Sequence, residues 1–60
     1  MKLIKFAYKI RYLLNDNKWH THSTKWYESA DEAYSEVEEF ANKTPYLEMS
    51  IGIMHRKVDL

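Results

Sequence analysis

Sixty residues leave room for one small domain, residues 1–60, and for no second. The chain has no cysteine, which excludes disulfide staples and zinc–thiolate sites. Nine basic residues balance nine acidic ones, which argues against a general nucleic-acid binder with its usual positive excess.

Residues 3–14, LIKFAYKIRYLL, alternate in character. Ile4, Phe6, Tyr8, Ile10, Tyr12 and Leu14 are apolar or aromatic, and Lys5, Ala7, Lys9 and Arg11 lie between them. Period two over this length predicts a half-buried strand with the even residues facing the core. NDNK at 15–18 predicts a hairpin turn without glycine, because Asn and Asp tolerate left-handed backbone. Residues 18–28 return as a second strand rich in Trp, Tyr and Thr.

Ser29-Ala30-Asp31-Glu32 reads as a capping box, with both acids suited to the positive end of a helix dipole. Ala30, Ala33, Tyr34, Val37, Phe40 and Ala41 recur at helical spacing and form one apolar stripe. Ser35, Glu36, Glu38 and Glu39 are expected on the wet side. Lys43 favours a C-terminus and Pro45 forbids continuation, so the helix is placed over 30–43. Residues 46–58 form a third strand, with Leu47, Met49, Ile51 and Ile53 alternating with more polar neighbours. The pattern blurs after Met54, where a bulge or fraying is expected.

The order β-β-α-β predicts an α+β fold, a three-stranded, mainly antiparallel sheet with the helix on one face. Whether the third strand runs parallel or antiparallel to the second stays open at this stage. A chain this short buries only about 60% of the surface its unfolded form exposes. Large aromatic side chains, or a second copy in a homodimer, are the available compensation.

Strand 2 carries KWHTHSTKW, residues 18–26, with a Trp on each of its two faces. Two histidines in a core would need buried partners, so His20, His22 and Thr24 are expected on the open face. Trp19 and Tyr27 would then cap the core, and a bulge could switch parity midway. His20 and His22 at i, i+2 share one side, but a metal site needs a third or fourth ligand. His55 is the only other histidine, and its parity follows the core side. No metal and no cofactor are expected. No nucleophile motif is present, the acids cluster on one helix, and so small a chain cannot easily close a pocket, so no enzyme is expected either.

Charge is unevenly spread. Lys2, Lys5, Lys9, Arg11, Lys18 and Lys25 face a single acid, Asp16, up to residue 26, and seven acids face Lys43 alone over 27–48. No apolar run approaches the ~18 residues of a membrane helix. The start, MKLIKFAYKI, lacks an unbroken apolar h-region, so no signal peptide, no membrane partner and a cytoplasmic location are expected.

The run Tyr27-Glu28-Ser29-Ala30-Asp31-Glu32-Ala33, entering a helix within a β-β-α-β order, resembles the small T7-type phage inhibitors of bacterial RNA polymerase. Strand 1 is longer and more aromatic than in that family and the tail differs, so no functional residue is carried over. The resemblance implies a compact phage-encoded binder that blocks a host protein by occupying a surface.

Two contact surfaces follow for a host protein partner. One is a basic sheet face with Lys5, Lys9, Arg11, His22, Trp26 and Arg56, since Arg and Trp are enriched at interface cores. The other is a carboxylate row on the helix, Glu36, Glu38 and Glu39. The alternatives are a single-stranded nucleic-acid module that stacks bases on the sheet, and a structural homodimer.

Overall fold

The computed structural model describes residues 1–59. The elements are β1 (Lys2–Leu13), β2 (Trp19–Ser23), α1 (Ala30–Lys43) and β3 (Glu48–Asp59). The sheet order is β2-β1-β3, and both neighbours pair antiparallel with β1. This is the expected α+β class, one helix against a three-stranded antiparallel sheet. β2 and β3 therefore run in the same direction, with β1 between them and α1 as the crossover.

The β1–β2 turn closes on three residues. Asn17 N–H donates to Leu14 O at 3.0 Å and Leu14 N–H to Lys18 O at 3.3 Å. Asn17 sits at φ 63, the left-handed conformation that Asn accepts better than most residues. Asp16 Oδ1 accepts from Lys18 N–H at 2.9 Å and secures the turn from its side chain.

The helix bounds match the sequence reading. Ser29 is the N-cap and its hydroxyl accepts from Glu32 N–H at 3.2 Å. Asp31 and Glu32 occupy the first turn and Lys43 the last, each at its favourable end of the dipole. Pro45 follows the C-cap Thr44, and Tyr46 N–H turns back to Thr44 O at 2.9 Å before β3 begins.

Ala33 and Val37 of α1 are buried against the even-numbered side of β1. Tyr8 meets Tyr34 and Tyr12 meets Phe40 edge to face, at 5.5 and 5.0 Å. Ala7, Ile10, Ala33 and Val37 are the buried hydrophobic residues. A short chain buries little, and here β3 adds no buried residue to the core.

Two expectations are corrected. β3 does not bulge or fray after Met54, because it pairs with β1 in a single register from Leu13↔Glu48 to Lys2↔Asp59. Ile51 and Ile53 of β3, expected on the core side, are also not core: both stay exposed.

Candidate functional site

Residues directly opposite each other across an antiparallel pair share a face. The register sets Lys5, Ala7, Lys9 and Arg11 of β1 together with Arg56, Met54, Gly52 and Ser50 of β3. From β2, Trp19, Thr21 and Ser23 join them, opposite Leu13, Arg11 and Lys9. The helix packs on the other side, so this is the open face.

Trp26 reaches the same face through a change of parity. Tyr27 exchanges both backbone hydrogen bonds with Phe6, at 2.7 and 2.8 Å. The regular β1–β2 ladder pairs Lys9 with Ser23, so the chain carries one extra residue between Ser23 and Tyr27. That is the bulge the sequence allowed. Thr24 fills the gap: it is buried, its N–H bonds Tyr8 O at 2.9 Å, and its Oγ1 accepts from Tyr8 N–H at 2.9 Å.

Each Trp is faced by a guanidinium. Arg56 Cζ lies 4.6 Å from the Trp26 ring centroid and Arg11 Cζ 5.6 Å from that of Trp19. Arg56 stands on β3 and Trp26 beyond the opposite edge of β1, so this pair arches over the central strand. Ala7 beneath it is fully buried although no helix covers this side. The centre of the face is thus roofed by a cation on an aromatic ring, with Lys9 and Arg11 exposed beside it.

Five of the six residues expected on this face are there: Lys5, Lys9, Arg11, Trp26 and Arg56. His22 is not. It lies opposite Ile10, on the helix side, with its ring stacked on Phe40 at 4.5 Å. His20 lies on the same side, opposite Tyr12, stacked on that ring at 5.4 Å. Thr24 is likewise buried rather than open, and Trp19, expected to cap the core, is 47% exposed on the open face. The cause is turn length. A three-residue loop pairs Leu13 with Trp19, and a register shift of one residue sends every side chain to the other face. The histidines tolerate the helix side because each is only half-buried and each meets an acid, His20 Nε2 with Asp16 at 3.2 Å and His22 Nε2 with Glu36 at 3.7 Å.

The helix carboxylate row is also revised. Glu36 lies beside the buried stripe rather than on the wet side. Its Oε1 accepts from Tyr27 Oη at 2.5 Å and from Lys25 N–H at 3.3 Å. Burial pushes this carboxyl up, but the Tyr27 and Lys25 hydrogen bonds and the nearby His22 and Lys25 charges outweigh it, and its pKa is lowered. The Tyr27 phenol is raised, first by its bond to Glu36. Glu38 and Glu39 remain exposed, and Glu39 pairs with Lys43 at 3.3 Å.

Among the described residues no helix is long and apolar enough to cross a membrane. Comparison of the chain with family models, with curated proteins and with solved structures returned no match.

Proposed function

We propose that this chain is a small binding protein, without chemistry of its own, that occludes an acidic surface of a host protein through its open sheet face. The observation that carries the reading is the convergence of Lys5, Lys9, Arg11 and Arg56 with Trp19 and Trp26 on one uncovered face. Glu48, opposite Leu13, is the acid at its margin. Trp and Arg dominate interface hot spots, and cationic faces speed and orient the encounter with an acidic partner. The resemblance at the helix entry supports a phage-type inhibitor and makes bacterial RNA polymerase the first target to assay.

The placement of both Trp residues on one basic face favours a second reading, single-stranded nucleic acid stacked on the rings. Against it, each ring already has a guanidinium on one side, so only the opposite side is left for a base.

The test is a pull-down from bacterial lysate with wild type and Arg11→Glu, with and without nuclease, read by mass spectrometry. One dominant protein that survives nuclease and disappears with Arg11→Glu supports occlusion of a protein surface. Loss of all partners on nuclease treatment selects the nucleic-acid reading. Capture unaffected by Arg11→Glu refutes the face.

A further inference from the structure

β3 has a free edge and an uncovered face. Ile51 and Ile53 lie on the helix side, opposite Ile10 and Tyr8, yet are 41% and 54% exposed. The helix packs on β1, and none of its Cα atoms comes within 8 Å of one in β3. Ile4 and Tyr34, also exposed, extend the apolar strip. The chain is correspondingly uncompact. Its radius of gyration is 13.1 Å, where a compact domain of this length has about 10 Å. Its accessible surface is 4594 Å², where about 4200 Å² is usual for its mass.

The backbone fixes how that edge can pair. Phe6 exchanges its bonds with Tyr27, and Tyr8 O accepts from Thr24, so the even residues of β1 face β2. The odd residues of β1 therefore face β3, and their partners there, Ser50, Gly52, Met54 and Arg56, are turned inward. Ile51, Ile53 and His55 are left with N–H and C=O on the free edge. Such an edge of 12 residues, with no proline in it, is a template for another strand.

We propose that β3 pairs antiparallel with β3 of a second copy about a two-fold axis at Gly52, giving a six-stranded sheet with both helices on one face. Outward residues pair only with outward residues, so odd positions meet odd positions and the two apolar strips fall on the same side. With the axis at Gly52, Ile51 lies opposite Ile53 of the second copy, twice. Glu48 lies opposite Arg56 of the second copy, also twice, and in the dimer Arg56 exchanges its place over Trp26 for that carboxylate. Moving the axis to Ile51 sets Glu48 against Met54, and moving it to Ile53 sets it against Val58, so either shift forfeits both charge pairs. The contact is self-complementary, as a two-fold interface must be. It completes the apolar strip that the helix leaves bare and joins the two open faces into one.

Gly52 also supplies the test. Its pair would be of the non-hydrogen-bonded kind, with Cα atoms about 4.5 Å apart, within disulfide range. Nothing lies within 4 Å of a Cβ added there, and the chain has no other cysteine. Sedimentation equilibrium on the wild-type chain should show the mass rising with concentration toward twice 7.3 kDa. Under mild oxidation, Gly52→Cys should cross-link to a dimer at least about tenfold faster than Ser50→Cys, whose two copies would stand beyond the ~7 Å limit for bridging. Circular dichroism confirms that both variants fold. Glu48→Arg should weaken the dimer, and adding Arg56→Glu should restore it. A monomer mass at every concentration up to millimolar overturns the proposal. So does equal cross-linking of the two cysteine variants, or a dimer mass that neither charge change moves.

Discussion

Tyr27 Oη donates to Glu36 Oε1 across 2.5 Å, and this bond joins the strand beyond the bulge to the flank of the helix. The same carboxylate holds Lys25 N–H and faces His22, so His22, Lys25 and Tyr27 converge on one helical residue. A double-mutant cycle with Tyr27→Phe and Glu36→Gln should show the two changes to be coupled, the pair costing less than the sum of the singles. Additive losses in urea midpoints would mean that the charge of Glu36 adds nothing to this bond, since Gln keeps an oxygen that can accept.

The same cluster sets a pH dependence. The Glu36 pKa is lower in the folded chain than in the unfolded one, so its contribution is present above the ordinary carboxylate range and is lost as pH falls through the folded value. The Tyr27 pKa is raised, so its contribution is present below the ordinary phenol pKa of about 10 and is lost as pH rises through the folded value. Glu36→Gln should therefore be less stable than wild type at neutral pH, and the gap should close in acid once the wild-type carboxyl is protonated. A gap that stays constant down to pH ~2, well below the unperturbed Glu pKa, would show that the ionised form of Glu36 is not what stabilises the fold.

Thr24 controls the bulge. Its hydroxyl accepts from Tyr8 N–H and donates to Lys25 O, replacing the ladder partner that the extra residue removes. Thr24→Val keeps the volume but orphans a part-buried amide, at a cost of about 1–3 kcal/mol. Thr24→Ser keeps the hydroxyl and should lose clearly less in chemical denaturation. Equal losses for the two variants would assign the effect to packing instead of the hydrogen bond.

Much of this architecture was legible because single residues carry it. Ser29 as cap, Pro45 as stop and the even-residue alternation of β1 each name their own structure. The face of β2 was not legible, because it depends on whether the loop from Leu14 to Lys18 holds three residues or four, and Asn15-Asp16-Asn17-Lys18 suits both lengths. Composition pointed the wrong way, since histidines are poor core residues until a half-buried ring finds Phe40 or Tyr12 to stack on. Glu36 was misplaced for a related reason: helical periodicity separates a wet face from a dry one but not the border, where a carboxylate meets Tyr27. The bareness of Ile51 and Ile53 was out of reach, because alternation reports the face of a strand and not whether a helix covers it.

The core is small enough that one residue should decide folding. Ile10 is fully buried in the central strand, flanked by His22 and Ile51. Ile10→Ala removes buried methylene groups and leaves a cavity, at about 2–5 kcal/mol. That is comparable with the 3–5 kcal/mol that cores of this size supply, so the variant should be largely unfolded by circular dichroism at 25 °C. A cooperative melt close to that of wild type would mean that the stability resides elsewhere.

Asn17 is the cheapest place to stabilise the chain. At φ 63 a side chain with a Cβ costs about 1–2 kcal/mol relative to glycine, and Asn lessens that cost without removing it. Asn17→Gly should keep the Leu14–Lys18 closure and raise the melting temperature slightly. Asn17→Ala should lower it by the larger amount, because Ala has neither glycine's freedom nor the local hydrogen bonding of Asn. The three melting temperatures should rank Gly, Asn, Ala from high to low. If Ala ranks above Asn, the left-handed turn does not persist in solution, and with it goes the three-residue loop that puts Trp19 on the open face.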